Sequence, residues 1–396
     1  MELTNWAVLI SRHCRSKRTE EPDVIDNFHD ENRADAMAHQ TPPASRATSP
    51  VVVITGASAG VGRAVAVAFG RDGWHVALIA RGRGRLASAA REVEKAGGKA
   101  LVIAADVADA DAMEAAADQV VGVWGRIDVW INNAMASVFG PASALNSDEI
   151  RRVTEVTYLG QVHGTLAALR HMQKTGEGTI VQIGSALSYR SIPLQSAYCA
   201  AKFAVRGFTD SLRSELQHEG SRIRLTMVQL PAVDTPQFDW VRSHLPKELQ
   251  PVPPIHEPEA VAEAIVRAAR NAPREMWVGS PTIQAILGTM VAPRLLDRMM
   301  ARRAWEGQMT GKPARPREGN LFDAPPGDPG VGGRFGPCSR KRVMAVSETA
   351  ARGILAAVAL GCVAGAVAAG WRLGTRSTSS GDRRLAARER AARMII

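Results

Sequence analysis

The chain has 396 residues, of which 45% are hydrophobic and 22% are charged, which is the composition of a globular protein. Its 35 glycines follow no period and its four cysteines are widely separated, so a collagen-like fibre and a disulfide scaffold are excluded. The formal net charge is +10, but twelve basic residues against three acidic ones lie from Val331 onwards. The rest of the chain is near neutral, which argues against nucleic acid as a partner.

Residues 1–49 are polar and carry charges of both signs, so we expect a disordered N-terminal extension. The apolar run at 6–10 is too short for a secretory signal, and a basic cluster follows this run instead of preceding it. The acidic residues between Glu20 and Glu31 argue against a transit peptide.

From Pro50 onwards, short apolar runs alternate with longer helical patterns. Unbroken apolar strands are typical of a parallel sheet that is covered by helices on both faces. The alternation therefore predicts an α/β fold, a doubly wound parallel sheet of the Rossmann type, in a single domain at 50–310. The apolar runs are at 51–55, 75–80, 99–104, 128–131, 178–183 and 223–230.

The first predicted strand leads directly into a glycine-rich loop, TGASAGVG at 55–62. Glycines lack a Cβ, so the backbone can turn tightly and approach a pyrophosphate, while the next helix directs its free N–H groups at that anion. A plain tight turn is the alternative, but the position after the first strand of a βαβ array favours cofactor binding. The candidate contacts in this loop are Gly56, Ser58, Gly60, Val61 and Gly62.

The end of the second predicted strand indicates which dinucleotide binds. An NAD-specific site carries an acid there for the ribose 2′-hydroxyl, whereas this sequence has Arg81, Arg83 and Arg85. A carboxylate would repel a 2′-phosphate, and a guanidinium pairs with it in bidentate fashion. Solvated surface arginines are the alternative. The missing acid favours NADP(H), with Arg81 as the candidate contact.

A serine, a tyrosine and a lysine are the candidate catalytic residues. Ser185 ends the fifth predicted strand, and Tyr198 and Lys202 follow at the i, i+4 spacing that places two side chains on one helix face. We expect the lysine ammonium to lower the pKa of the tyrosine phenol, and the serine hydroxyl to polarise a carbonyl. A surface helix pair is the alternative for the tyrosine and lysine alone.

These motifs together resemble the short-chain dehydrogenase/reductase family over residues 51 to about 280. The resemblance implies that Tyr198 is the general acid/base, that Ser185 orients the substrate carbonyl and that Lys202 binds the cofactor ribose. It also implies that Asp106 and Val107 lie by the adenine, that Asn132 and Ala134 lie by the cofactor, and that Val233 and Thr235 lie near the nicotinamide amide. The matching motifs are 55–62, Asp106-Val107, Asn132-Asn133-Ala134, Ser185, 198–202 and 230–235.

The sequence departs from the family pattern at three positions. Met135 stands where the family has a glycine, and Ala232 replaces the glycine of a Pro-Gly turn. Thr157 stands where the family has a catalytic asparagine, which acts there through its main-chain carbonyl. Because any residue supplies a carbonyl, the loss of this asparagine does not exclude catalysis.

The loops after the predicted strands, at 135–146, 186–197 and 232–256, are expected to line the substrate pocket. Their apolar side chains favour an apolar ketone, aldehyde or secondary alcohol, and the alternative is that they only cap the core. The residues concerned are Met135, Val138, Phe139, Leu187, Ile192, Leu194, Phe238 and Trp240.

The sequence thus predicts an oxidoreductase that transfers hydride between NADP(H) and an apolar carbonyl or alcohol. The alternative, suggested by Thr157 and by the C-terminal region, is a membrane-tethered sensor or scaffold that binds NADP(H) without turnover. No metal is expected, because His163 and His171 have no acidic residue at ligand spacing. Assembly into a homo-oligomer is left open.

The C-terminal region is expected to attach a cytoplasmic catalytic domain to a membrane. Residues 311–345 are rich in Pro and Gly and predict a linker without regular structure. Residues 346–372 predict a transmembrane helix, because they include nineteen uncharged residues at 353–371, and a basic tail follows at 373–396. A buried Ala/Gly helix is the alternative. Basic residues lie on both sides of the segment, so the positive-inside rule does not decide whether the segment spans the membrane.

Overall fold

A computed structural model describes residues 47–315, 317–357, 360, 361 and 363–367. The predicted N-terminal extension, apart from residues 47–49, and the predicted basic tail at 373–396 lie outside the described residues.

The centre of the fold is an eight-stranded sheet. Its strands are β1 (Val51–Thr55), β2 (His75–Ala80), β3 (Lys99–Ala104), β4 (Val129–Asn132), β6 (Glu177–Ser185), β7 (Arg222–Leu230), β11 (Glu275–Val278) and β14 (Ala345–Ser347). They lie in the order β14-β11-β7-β6-β4-β1-β2-β3. All neighbouring strands are parallel except β11 and β14, which are antiparallel. This arrangement confirms the predicted doubly wound α/β fold.

Three further strand pairs lie outside this sheet. They join β5 (Val138–Phe139) to β8 (Arg242–Ser243), β9 (Lys247–Leu249) to β12 (Met309–Pro313), and β10 (Ile255–His256) to β13 (Ser339–Arg340). Each pair ties one of the loops that follow the main strands to a distant part of the chain, so these loops are held in place.

Helices cover both faces of the sheet, and each face has its own apolar core. One core includes side chains from α1, α2 and α8, and the other includes side chains from α3, α5 and α6. These helices are α1 (Gly60–Arg71), α2 (Arg83–Lys95), α3 (Ala110–Trp124), α5 (Gly160–Thr175), α6 (Ser196–His218) and α8 (Pro258–Asn271). The others are α4 (Ser147–Thr154), α7 (Gln237–Trp240), α9 (Ser280–Val291), α10 (Pro293–Met299) and α11 (Trp305–Gly307).

The start of α4 fixes the loop that follows β7. Asn146 and Glu149 form a capping box, in which each side chain accepts a hydrogen bond from the backbone N–H of the other residue. The Glu149 carboxylate is fully buried and also accepts a hydrogen bond from Arg242, and it lies 2.9 Å from His244 Nε2. A buried charge requires such partners, so residues 242–244 are anchored to the body of the domain.

The prediction that residues 311–345 form a linker without regular structure is wrong at the two ends of the segment. Residues 311–313 belong to β12, and the other end contains β13 and the first residue of β14, which extends the main sheet by pairing with β11. The described residues from 314 to 335 belong to no helix or strand. The Pro/Gly-rich chain finds its hydrogen-bond partners on strands that are distant in sequence, and a local composition pattern cannot indicate such pairing.

The described part of the predicted transmembrane segment is helical at 348–357, 360–361 and 363–367. Among the residues with described positions, no helix has the length and the apolar character that crossing a membrane requires. The expectation of a transmembrane helix at 346–372 is therefore not supported.

We predict that truncation after Arg340 destabilises the domain, because removal of β14 leaves β11 as an open sheet edge. The melting temperature should fall relative to the full chain, as measured by circular dichroism. Met344→Ser is the matched control, because Met344 directly precedes β14 and its side chain is 54% exposed. Equal melting temperatures for the truncated and full chains would show that the pairing adds no stability.

Candidate active site

A cavity of about 900 Å³ lies at the carboxyl ends of the parallel strands. Its walls include the glycine-rich loop after β1, the end of β2 and the ends of β4, β6 and β7. In a doubly wound sheet, ligands bind at this edge, where the strand order reverses. Here the reversal lies between β1 and β4, which are neighbours in the sheet.

The glycine-rich loop has the geometry that its sequence predicts. Gly56 has a φ of +67°, and a Cβ at this position would lie 2.8 Å from the Cα of Ala134. A Cβ at Gly62 would lie 2.3 Å from the carbonyl oxygen of Gly56. Side chains are therefore excluded at both positions. Helix α1 begins at Gly60 without a side-chain cap, and its first three residues line the cavity. The Gly60 N–H donates a 3.2 Å hydrogen bond to the carbonyl of Gly330, and the start of such a helix can bind an anion.

The structure brings nearly all predicted cofactor residues to the walls of this one cavity. The exception is Asn132, whose side chain is fully buried and forms hydrogen bonds with Trp130, Thr165 and Gln182. Asn132 does not line the cavity, so the expectation that it contacts the cofactor is wrong. The side chains of Asn132, Thr165 and Gln182 form hydrogen bonds with one another inside the fold. The residues that line the cavity are Gly56, Ser58, Gly60, Val61, Gly62, Arg81, Asp106, Val107, Ala134, Tyr198, Lys202, Val233 and Thr235.

Arg81 lies at the end of β2, on the cavity wall, as its sequence position predicts. Its guanidinium donates hydrogen bonds to backbone carbonyls of residues 320–323. Burial lowers the pKa of Arg81. Arg85 also lines the cavity, whereas Arg83 does not and is exposed.

Ser185 ends β6 with its hydroxyl group available as a donor. The Ser185 Oγ accepts a hydrogen bond of 3.1 Å from the N–H of Leu187, and the Ser185 N–H donates to Gln229 Oε1 at 2.9 Å. Because a hydroxyl has one proton and two lone pairs, the Ser185 O–H remains able to donate into the cavity that it lines.

Tyr198 and Lys202 lie one turn apart on α6 and both line the cavity. The Lys202 Nζ lies 5.7 Å from the centre of the Tyr198 ring and donates a 2.6 Å hydrogen bond to the carbonyl of Ile183. The lysine is only 1% exposed. Ser185, Tyr198 and Lys202 therefore share one region of the cavity wall, as the sequence predicts.

The expected lowering of the Tyr198 pKa does not occur in this structure. Burial, followed by the neighbouring Cys199 thiol, raises the pKa of the Tyr198 phenol, and the Ser185 hydroxyl offsets only part of this effect. Burial also lowers the pKa of the Lys202 ammonium to about 7. The lysine is therefore only partly charged at neutral pH, which weakens its pull on the phenol.

Thr157 lies in a wide, π-type turn between α4 and α5, at Glu155–Leu159. Its Oγ1 donates to the carbonyl of Ala136 at 2.8 Å and accepts from the Ala136 N–H at 2.9 Å. The side chain that replaces the family's asparagine is thus fully buried and fixes the loop that follows β4, which carries Met135 on the cavity wall.

The sequence analysis missed Gln161. Its Nε2 donates a 3.2 Å hydrogen bond to the carbonyl of Ile183, the same oxygen that accepts from Lys202. Gln161 follows Thr157 by one helical turn, and this spacing is the signal that could have identified it.

The part of the cavity that the loops after β4, β6 and β7 line is mostly apolar, and polar side chains such as Arg190, Gln284 and Arg303 also line the cavity. Of the eight residues predicted for it, Val138 and Leu194 are buried behind the wall, and the other six line the cavity: Met135, Phe139, Leu187, Ile192, Phe238 and Trp240. Side chains from α10 and the turn after it complete the wall, and the sequence gave no signal for them because they lie beyond the strand-end loops. They are Leu296, Met299 and Met300.

The family model of the short chain dehydrogenases matches residues 50–245. An uncharacterized oxidoreductase of Bacillus subtilis, YxnA, is 36% identical over 280 residues, which are 69% of this chain and 78% of the relative. The ketoacyl reductase HetN of a Nostoc species is 30% identical over 258 residues, which are 64% of this chain and 88% of that protein.

Among solved structures, an alcohol dehydrogenase of the archaeon Thermococcus sibiricus, complexed with 5-hydroxy-NADP, is similar in sequence and fold. It is 30% identical with a TM-score of 0.50, and the match covers 58% of this chain and 95% of the archaeal one. With the glycine-rich loop and the Ser185, Tyr198 and Lys202 set on one cavity, these similarities show that the chain belongs to the short-chain dehydrogenase/reductase family.

Proposed function

We propose that the protein interconverts an apolar ketone or aldehyde and the corresponding alcohol, with NADP(H) as the hydride carrier. The observation that carries the proposal is that Ser185, Tyr198 and Lys202 line the same cavity as the glycine-rich loop. NADPH supplies a hydride to a carbonyl carbon when it is bound. The acid/base and binding groups come from the protein.

The protein residues have separable tasks in the reduction. The Ser185 O–H donates to the carbonyl oxygen of the substrate, because its Oγ already accepts from Leu187 and is held in place. The Tyr198 phenol, which burial keeps protonated, delivers its proton to that oxygen as negative charge develops there. Lys202 is held by the Ile183 carbonyl one turn from Tyr198, where it can bind a ribose hydroxyl.

Arg81 and Arg85 support the choice of NADP(H) over NAD(H). Both guanidiniums lie on the cavity wall near the end of β2, and neither makes an ion pair with a carboxylate in the described part of the chain. Two guanidiniums without a carboxylate partner favour a phosphate anion. The archaeal alcohol dehydrogenase that binds an NADP derivative supports the same choice.

The substrate end supports an apolar substrate. Five of the predicted side chains and three from the region of α10 surround it, and all eight are apolar. The sixth, Trp240, lies instead beside Arg85, whose guanidinium carbon is 4.9 Å from the centre of the Trp240 ring. A sugar or a polyanion would lose its hydration against these apolar side chains.

We predict that Tyr198→Phe lowers kcat for NADPH-dependent carbonyl reduction by about 10²–10⁴-fold, the contribution of a positioned general acid. Activity is measured with a panel of apolar aldehydes and ketones. Tyr158→Phe is the matched control, because Tyr158 lies outside the cavity wall and should leave kcat unchanged. Activity that survives Tyr198→Phe would contradict the mechanism. NADPH binding without turnover on any substrate would instead favour a non-catalytic sensor or scaffold.

We predict that Arg81→Asp weakens NADPH binding by roughly 2 kcal/mol or more, the scale of a lost charge-assisted contact plus new repulsion. NADH binding should change much less, because NADH has no 2′-phosphate. Arg83→Asp makes the same charge change at an exposed position off the cavity wall and serves as the control. Equal affinity of the unmodified protein for NADPH and NADH would overturn the cofactor preference.

We predict a stability that rises with pH because of Lys202. Its pKa is about 7 in the folded protein and about 10.5 when exposed, so between these values the unfolded chain binds the additional proton. The cost of burying Lys202 is therefore fully present below pH 7 and is relieved as the pH rises towards 10.5. The free energy of unfolding of cofactor-free protein is measured by urea denaturation for wild type and for Lys202→Met. Between pH 7 and 9, the free energy of unfolding of wild type should rise relative to that of Lys202→Met. Parallel pH curves would contradict this.

A further inference from the structure

Residues 317–335, within the segment that the sequence presents as a linker, run along the whole length of the cofactor region. We call residues 317–335 the strap. Asn320, Ala324 and Pro325 form part of the cavity wall, so the strap belongs to the same site as the glycine-rich loop. Its composition is rich in Pro and Gly, and it has no helix or strand of its own within these residues.

Both ends of the strap are fastened to the loop that follows β7. The Arg317 guanidinium donates to the carbonyls of Phe238 and Val241 at 3.1 and 3.2 Å. At the other end, the Phe335 N–H donates to Asp234 Oδ1 at 3.0 Å, and the Phe335 ring packs edge-on against Phe238 at 5.9 Å. The ends are thus fixed on the substrate side, and the middle crosses the cofactor side.

The middle of the strap occupies the arginines that we assign to the 2′-phosphate. Both terminal nitrogens of Arg81 donate to strap carbonyls, among them that of Asn320 at 2.7 Å and that of Phe322. Arg85 donates to the carbonyls of Pro326 and Gly327 at 2.8 and 2.7 Å. A guanidinium N–H directed at a strap carbonyl is not available to a phosphate oxygen.

The strap also reaches the positions assigned to the adenine and the pyrophosphate. Leu321 is fully buried, and its carbonyl accepts from Arg152, which in turn pairs with Asp106. At the other end of the groove, the Gly60 N–H at the start of α1 donates to the carbonyl of Gly330 at 3.2 Å. The strap therefore contacts three successive parts of the expected dinucleotide path.

One ion pair fastens the middle of the strap to the body. Asp328 pairs with Arg63, a residue of α1 that is only 2% exposed and that also pairs with Glu92 at 2.9 Å. The hydrogen bond from Arg63 lowers the pKa of Asp328 to about 2, so the contact persists at any physiological pH. The remainder of the middle segment is mostly exposed, and Phe322 is 48% exposed.

We propose that the strap is an internal competitor of NADP(H), which holds Arg81, Arg85 and the Gly60 N–H until the dinucleotide displaces it. This inference rests on the proposed use of NADP(H). A phosphate oxygen carries charge and a peptide carbonyl does not. The 2′-phosphate therefore forms the stronger hydrogen bonds with Arg81 and Arg85 and can displace the strap carbonyls. Because only molecules with an open strap can bind NADP(H), the closed strap lowers the apparent affinity in proportion to the open fraction, and it limits the rate of association.

The first test measures NADPH association by stopped-flow fluorescence in the full chain. Asp328→Asn removes the ion pair with Arg63 and should raise the association rate constant about tenfold, the scale of one charge-assisted hydrogen bond. Asp323→Asn is the matched control, because it makes the same charge change on the strap near Arg81 but removes no ion pair of the described residues. Equal association rates for wild type and Asp328→Asn would overturn the strap proposal. Absence of NADPH binding in both would instead refute the proposed cofactor.

The second test closes the strap covalently. Arg63 donates to both Ser88 and Asp328, so these two residues face each other across one guanidinium. A Ser88→Cys/Asp328→Cys variant in a Cys338→Ser background, which removes an exposed thiol, should form a disulfide under oxidation, verified by mass spectrometry. The oxidised protein should fail to bind NADPH, and reduction should restore binding with an association rate above that of wild type. Unchanged binding by the oxidised protein would show that NADPH does not need the strap to open.

Discussion

The Lys202 ammonium is buried at the end of β6, where the carbonyl of Ile183 accepts its hydrogen bond at 2.6 Å. No carboxylate is paired with this lysine in the described residues, so burial lowers its pKa to about 7. An unpaired cationic group in this position is costly for folding, and a stable domain must offset the cost elsewhere. The two apolar cores on either side of the sheet provide this stabilisation, and they leave the strand ends free to carry the polar groups of the site.

The position of Lys202 also explains why neighbouring residues are arranged as they are. Gln161 donates to the same Ile183 carbonyl, so α5 and α6 meet at one oxygen atom at the end of β6. The π-type turn before α5 brings Thr157 against Ala136, which fixes the loop after β4. A wide turn inside a helix often marks a functional region, and here Val156 of this turn lines the cavity.

The strap changes how the basic character of the chain should be interpreted. Arg63 pairs with Asp328 of the strap and with Glu92, whereas Arg81 and Arg85 donate hydrogen bonds to backbone carbonyls of the strap. These neutral carbonyls satisfy the hydrogen-bonding capacity of Arg81 and Arg85, and the carboxylates that act on their charges form no ion pair with them. A site of this kind keeps its attraction for an anion while it is closed.

The sequence by itself determined the elements whose signals are local. The apolar runs determined the parallel sheet, the loop at 55–62 determined the tight glycine turn after β1, and the i, i+4 spacing determined that Tyr198 and Lys202 share a helix face. Each of these depends on the chemistry of a few neighbouring residues: burial on both faces, the absence of a Cβ, or the pitch of a helix.

Only the tertiary structure decided the features that depend on distant partners. It placed Asn132 inside the fold and not at the cavity, because Thr165 and Gln182 lie within hydrogen-bond distance of its amide. It reversed the expected effect on Tyr198, because the pKa of a buried phenol depends on the water that surrounding elements exclude. It also added β14 to the sheet and laid residues 317–335 across the cofactor region. A Pro/Gly-rich chain acquires order here from hydrogen-bond partners that are distant in sequence, and its own composition does not encode them.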